Sequence, residues 1–409
     1  MTSAPTSTLT AIVNARIVPV LGDTIESGTV LIENGRISAI GADLTVPAGA
    51  RIIDATGKWV LPGFIESHGH VGIHEEANGW AGDDTNEMTG PNMAAVRAID
   101  AVNIDDEGFR DALSGGVTTI VVKPGSGNPI GGQSVAIKSW GGRTIDEQVI
   151  SDSVSIKSAL GENPKRVYGD KKQTPSTRLG VSLIIRQAFV DAQNYVQARD
   201  AAAEKGEPFT RDLGKEALGR VLSGELAWDQ HVHRHDDIVT AIRLAEEFGY
   251  RLVINHGTEG HKIADVLAEK NIPVIFGPML TARTKVELRD RAIGNLAVLA
   301  AAGVRVAITT DHPVVPVNFL VHQASFAVKE GLPVQTALEA LTVNPALILG
   351  LDSRVGSLTV GLDADVVIWS GDPLDLASRA ELVLIDGVEV YRCADGFGQV
   401  VERATRLSA

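Results

Sequence analysis

Between about Leu61 and Gly350 the chain repeats one pattern: a short apolar, β-branched run, then a longer stretch with apolar residues at helical spacing. A parallel strand pair needs a connection of a dozen or more residues, and an amphipathic helix supplies it, so this alternation predicts βα units around a parallel sheet. Eight strand candidates occur, at residues 63–67, 117–122, 134–138, 154–160, 226–230, 251–255, 273–276 and 304–309. Eight such units close on themselves, so the expected architecture is an α/β (β/α)8 TIM barrel over residues 62–350. The stretch 237–248 shows the helical half of a unit, with Ile238, Ala241, Ile242, Ala245 and Phe248 on one side and Asp236 or Asp237 as N-cap. Residues 177–222 exceed what a barrel connection requires and read as a mostly helical, elaborated βα connection.

Both ends have a different texture. Ala11-Ile12-Val13, Val30-Leu31-Ile32 and Ile37-Ser38-Ala39-Ile40 are short strand runs, and Asn34-Gly35 between two of them reads as a hairpin turn because both residues tolerate positive φ. After Leu351 the β pattern returns in Ala364-Asp365-Val366-Val367-Ile368-Trp369 and Leu382-Val383-Leu384-Ile385. Residues 1–61 and 351–409 are therefore expected to pair into one small β-sandwich beside the barrel.

Charge and cysteine content narrow the surroundings. A net charge of −14, with no basic helix face to offset it, disfavours nucleic acid and anionic membranes as partners. The single cysteine, Cys393, forms no intrachain disulfide, and the opening residues lack the basic and apolar regions of a signal peptide, so a cytoplasmic location is expected. No run reaches the roughly 18 uncharged apolar residues of a membrane span. A small-molecule substrate is the expected partner.

The chemistry gathers at strand ends. His68-Gly69-His70 closes the first barrel strand, and residues two apart on a strand share a face, so both imidazoles aim into the barrel mouth. His231, His256 and Asp311 each follow a different later strand. In such a barrel the C-terminal strand ends converge on one cavity, which brings these residues together as nitrogen and oxygen ligands suited to zinc or a similar divalent ion. His233 and His235 lie beside His231, and His233 is its rival.

Leu61-Pro62-Gly63-Phe64-Ile65-Glu66-Ser67-His68-Gly69-His70 resembles the first-strand signature of the amidohydrolase superfamily. Gly115-Gly116-Val117-Thr118-Thr119 resembles its second strand, Ile308-Thr309-Thr310-Asp311-His312-Pro313 its eighth, and Asn344-Pro345-Ala346 with Gly361-Leu362-Asp363-Ala364-Asp365 its C-terminal return. The resemblance is nearest to the imidazolonepropionase-related branch and covers almost the whole chain. It implies that His68, His70, His231, His256 and Asp311 hold or contact one or two divalent ions, zinc being the expected one, with Asp311 also the general base and His256 stabilising the oxyanion. It further implies a bridging carbamylated lysine on the fourth strand in binuclear members. Lys157 fits that position, Lys138 competes one strand earlier, and Glu162 is an alternative carboxylate. A homo-oligomer is expected from the same resemblance.

The activity so implied is hydrolysis of an amide or cyclic amide C–N bond by metal-activated water. Deamination of a heterocycle is the first alternative, but Arg234 stands where such enzymes place a glutamate. A non-catalytic scaffold is the second, and it would have lost ligands that this chain keeps. Arg234 is expected to grip a substrate carboxylate, which suits a peptide-like or N-acyl amino acid substrate. His233, Gln133 from the loop ending in Gly131-Gly132-Gln133, and Glu76 from the acidic loop 72–91 complete the expected substrate contacts. That glycine-rich loop has no following Lys-Ser/Thr pair and is not a phosphate loop.

Overall fold

Every residue of Val117-Thr118-Thr119-Ile120-Val121-Val122 is buried, as a strand covered on both faces must be. In the computed structural model, which describes residues 9–393 and 398–401, this run is one of eight central strands. Before them come β1 (Leu9–Ile17), β2 (Ile25–Glu33), β3 (Arg36–Gly41), β4 (Arg51–Asp54) and β5 (Trp59–Pro62). The central strands are β6 (Phe64–Gly69), β7 (Val117–Val122), β8 (Ile130–Lys138), β9 (Val149–Ala159), β10 (Ala227–Val232), β11 (Leu252–His256), β12 (Val274–Phe276) and β13 (Val306–Ile308). They neighbour one another in chain order from β6 to β13, giving a nearly closed barrel sheet. All eight strand candidates fall on them.

The sheet is not uniformly parallel. β8 runs antiparallel to both β7 and β9, whereas the other pairs are parallel. The expectation of eight parallel βα units is corrected here, and the reason is chain length. Only residues 123–129 join β7 to β8, too few for a helical crossover, and their glycines turn the chain straight back. A side chain at Gly125 would force Asn86 to move, because a Cβ there would meet its side-chain amide at 2.3 Å.

Ile65, Val121, Ala136, Val154, Ala227, Val253, Ile275 and Ala307, one from each barrel strand, fill the interior as a single apolar layer. Truncating Ile65 to alanine would cost about 2–5 kcal/mol there. Around the strands lie α1 (Glu107–Ser114), α2 (Glu162–Asp170), α3 (Arg178–Lys205), α4 (Leu213–Leu222), α5 (His235–Phe248), α6 (Ala264–Glu269), α7 (Asn295–Ala301), α8 (Leu320–Lys329), α9 (Val334–Leu341) and α10 (Val343–Leu349). Ala346, Ile348 and Leu349 of α10 join the interior layer. α3 and α4 are the long excursion; Thr177 caps α3 by accepting from Gly180 N at 3.1 Å, and Gly206 ends it at φ +68°. No helix among the described residues is long and apolar enough to cross a membrane.

First and last barrel strands meet largely through side chains. Glu66 of β6 accepts from Thr309 Oγ1 at 2.6 Å, Thr310 N at 2.9 Å and Thr310 Oγ1 at 2.5 Å, and His70 N donates to His312 O at 3.0 Å. The chain ends form one hydrogen-bonded sheet of nine strands, in which β14 (Val366–Trp369) pairs antiparallel with β5. β15 (Ala380–Ile385), β16 (Val388–Cys393) and β17 (Gly398–Val400) extend it on one side, and β1, β2 and β3 on the other. Its own core contains Ile12, Val30, Ile32, Val60, Val366 and Leu384.

Candidate active site

A cavity of about 490 Å³ opens at the C-terminal ends of the parallel barrel strands, bordered by His70, Lys157, His231, His233, His256 and Asp311. These residues lie at or just beyond the ends of β6, β9, β10, β11 and β13, so the register of five strands sets the site. A larger cleft of about 910 Å³ lies at the other end, among Tyr250, Arg251, Asn271 and Val304, which precede β11, β12 and β13. It has no histidine and no convergent acids, so the chemistry belongs to the smaller cavity.

Within the cavity wall the imidazoles stand edge to edge: ring centroids are 5.5 Å apart for His68 and His70, 5.1 Å for His68 and His256, and 4.5 Å for His231 and His256. Asp311 Oδ1 lies 3.1 Å from His68 Nε2 and 3.3 Å from His70 Nε2. His68, His70 and Asp311 thus bring three ligand atoms within 4.8 Å of one another. His70 Nδ1 faces the Lys123 carbonyl at 2.7 Å, and His256 Nδ1 faces the Gly277 carbonyl at 2.7 Å. A carbonyl only accepts, so each Nδ1 carries the hydrogen and each neutral ring offers a bare Nε2. His256 Nε2 is buried without a hydrogen-bond partner among the described residues. A bare nitrogen beside a carboxylate oxygen is two acceptors facing each other, an arrangement that a cation between them relieves. The donor set therefore fits a divalent ion.

Electrostatics keep four of the rings neutral. Burial, then the charge of Lys157, holds His68 well below the usual imidazole range; burial does the same to His231 and His233, reinforced by His256 and by Lys285 respectively. His256 is pushed down to about 4, chiefly by burial. Burial alone would raise the Asp311 carboxyl, but a hydrogen or a cation held between its oxygen and the His68 and His70 rings keeps it well below the ordinary carboxylate range. Burial brings Lys157 down to about 8. His256 and Asp311 also sit at φ +69° and +54°, left-handed backbone that costs a non-glycine residue roughly 1–3 kcal/mol and marks a constrained site.

His68, His70, His231, His233, His256, Asp311 and Lys157 are brought together as the sequence predicts. Six other expectations are corrected. Arg234 pairs with Asp236 at 2.7 Å at the start of α5, and its side chain, 40% exposed, borders a separate, smaller pocket with Glu259 and Lys262. Gln133 is spent on the Ala94 carbonyl at 3.2 Å, because it lies on the antiparallel β8. Glu76 lies 3.5 Å from the buried His312 and does not border the cavity. Glu162 opens α2 with its amide bonded to Glu287 Oε1 at 2.8 Å and likewise does not border the cavity. Lys138, the rival of Lys157, meets Asp363 at 2.9 Å and Asp365 at 2.8 Å, because β8 runs backwards and delivers its end to the base of the barrel. The oxyanion role expected of His256 also changes: with Nδ1 donating to a carbonyl, its neutral Nε2 has no hydrogen to offer.

Several supporting residues escaped the sequence reading. Asn255 Oδ1 lies 2.9 Å from His68 Nδ1, and Lys123, fully buried, forms an ion pair with Asp229, which also accepts from Ser155 Oγ at 3.2 Å. Asn163 Nδ2 lies 3.3 Å from His231 Nε2, and Lys285 borders the cavity. Glu66 carried a signal: an acid two residues before His68 shares its strand face, so it had to be buried and bonded.

Comparison with known proteins agrees with this architecture. The amidohydrolase family profile matches residues 171–391. The chain is 30% identical over 392 residues to the amidohydrolase tasK of Hapsidospora irregularis, covering 89% of this chain but 40% of that longer protein. It is 25% identical to an imidazolonepropionase of Sphingopyxis alaskensis, covering 90% and 93% of the two chains. Among solved structures, an amidohydrolase from Thermotoga maritima superposes with a TM-score of 0.91 and 46% identity, covering 94% of this chain and all of that one. A prolidase complexed with N-methylphosphonate-L-proline shares the fold, with a TM-score of 0.61 and 21% identity over 94% of this chain and 100% of that one.

Proposed function

Since the chain belongs to the amidohydrolase family, in its imidazolonepropionase-related part, and is thus a hydrolase of C–N bonds, we propose that it cleaves an amide or cyclic amide in a peptide-like or N-acyl amino acid substrate with metal-activated water. The observation that carries this reading is the meeting of bare imidazole nitrogens with the Asp311 carboxylate at one cavity. His68, His70, His231, His256 and Asp311 would hold the ion, and a carbamate on Lys157 would make room for a second. A divalent ion, zinc being the expected one, would supply Lewis acidity and lower the pKa of a coordinated water to about 7.

The chain's own residues move the protons. Asp311, kept ionised, accepts the proton of the attacking water on its carboxylate and hands it to the departing nitrogen, so that a neutral amine leaves. His233 takes the role first expected of His256. Its Nδ1 lies 2.8 Å from Thr258 Oγ1, a hydroxyl able to donate, which frees Nε2–H to point at the developing oxyanion. The outward turn of Arg234 leaves no acid or base at the position a deaminase uses, so amide hydrolysis is preferred over deamination.

We read the nine-stranded sheet of the described chain ends as the small β-sandwich expected beside the barrel at 62–350, supported by its separate apolar core. A cytoplasmic homo-oligomer is the setting we propose, on the acidic balance and the single cysteine. The test is metal analysis of the purified protein with a screen of N-acyl amino acids, dipeptides and lactams. One or two equivalents of ion per chain and chelator-sensitive cleavage are expected. Cleavage that survives complete metal removal would overturn the mechanism.

A further inference from the structure

Lys285 stands on the cavity wall in the segment after β12, with its side chain 15% exposed. Its Nζ donates to Asn163 Oδ1 at 3.0 Å, and the same amide reaches His231 Nε2 at 3.3 Å and Ser126 Oγ at 2.8 Å through Nδ2. The ammonium is therefore one side-chain amide away from the imidazole cluster. The nearest carboxylate oxygen to it, Glu287 Oε2, is 3.8 Å distant, and that carboxylate is already engaged by Arg178 Nη2 at 2.8 Å and Glu162 N at 2.8 Å. A mostly buried cation with one neutral acceptor and a shared, distant counter-charge is incompletely compensated.

Arg166 stands on the same wall. It lies three residues beyond Asn163 on α2, so the two share a helix face, and both border the cavity. Arg166 has no hydrogen-bond or ion-pair partner among the described residues. Asp83 and Asp311 are the acids of the cavity lining, and both are occupied: Asp83 by Thr85 Oγ1 at 2.5 Å with His74 at 3.4 Å, Asp311 by the first-strand imidazoles. No acid of the lining forms an ion pair with Lys285 or Arg166 among the described residues, and Asp311 acts on Lys285 only from a distance.

Resting on the amide-hydrolase reading above, we propose that Lys285 and Arg166 form a carboxylate clamp that selects substrates bearing a carboxylate on the carbon next to the scissile nitrogen. The short span from His231 through Asn163 to Lys285 suits an α-carboxylate rather than a distant one. A guanidinium adds the planar, two-pronged contact that fixes a carboxylate's orientation. The clamp takes over the role that the sequence pointed to in Arg234, now on residues that face the cavity.

The test is calorimetric binding of N-methanesulfonyl-L-leucine and its carboxamide to the metal-loaded protein, since a sulfonamide resists hydrolysis and separates binding from turnover. The carboxylate should bind about 10- to 100-fold tighter than the carboxamide, the range of hydrogen bonds to charged groups. Lys285→Gln and Arg166→Gln should each shrink that preference, and the double variant should erase it. Arg166 is on an exposed helix surface, so its substitution leaves the fold intact. Equal affinity for the two probes, or an undiminished preference in the double variant, would overturn the clamp. Preference without cleavage of any amide would leave the clamp standing and remove the proposed activity; cleavage without preference would do the reverse.

Discussion

The two ends of the barrel each hold a buried lysine, and their surroundings are opposite. At the base, Lys138 is surrounded by Asp363, Asp365 and Asp386, and though burial opposes it, these charges raise its pKa. At the mouth, Lys157 has no ion-pair partner among the described residues, and burial lowers it to about 8. The same side chain is a tie in one place and an unpaired, easily neutralised amine in the other, and what decides is whether carboxylates were buried with it. Base positions should thus affect stability and mouth positions chemistry.

The largest break in that division would come from Asp311→Asn. Turnover on a cleaved amide should fall by about 10²–10⁴-fold with the unfolding midpoint nearly unchanged, by steady-state kinetics beside thermal melting. A large loss of stability would place Asp311 with the base residues instead. Next, Lys138→Met should leave Asp365 buried without its cation and destabilise the fold by about 3 kcal/mol in urea titration, while activity per folded molecule persists. Lys157 gives a smaller effect with a definite sign. Its folded pKa, about 8, lies below its ordinary 10.5, so the unfolded chain binds more protons between those values and stability must rise with pH across that window. Metal-free wild type should gain stability relative to Lys157→Met from about pH 8 to 10.5; a flat difference would mean the ammonium is well solvated. The smallest effect is expected for Arg234→Ala, whose exposed pair with Asp236 should matter by under about 1 kcal/mol, with kcat/KM changed less than about twofold.

Much of this was legible in the sequence because it depends on periodicity. All eight barrel strands announced themselves as apolar runs, and His68, His70, His231, His256 and Asp311 could be placed because strand ends converge wherever such strands close. What was not legible depends on direction and contact. The same run, Ser134 to Lys138, reads alike in a parallel or an antiparallel strand, and only the short connection 123–129 betrays the reversal that sends Lys138 to the base and Gln133 onto a backbone carbonyl. Arg234 was misplaced because neighbourhood in sequence to His233 says nothing of where a side chain turns once α5 begins and Asp236 is two residues away. Lys285 and Asn163 had no motif; their meeting depends on two separate connections folding against each other.

The Glu66 lock between β6 and β13 has a consequence for assembly. Glu66 and Thr310 come from points 244 residues apart, and the same seam sets His68 and His70 beside Asp311. The ion site cannot exist in a nascent chain that has made only its first strands, nor in any fragment that stops short of residue 311. On the proposed metal chemistry, uptake of an ion would report completion of the ring, because a chain able to bind it must already have joined its earliest barrel strand to its last.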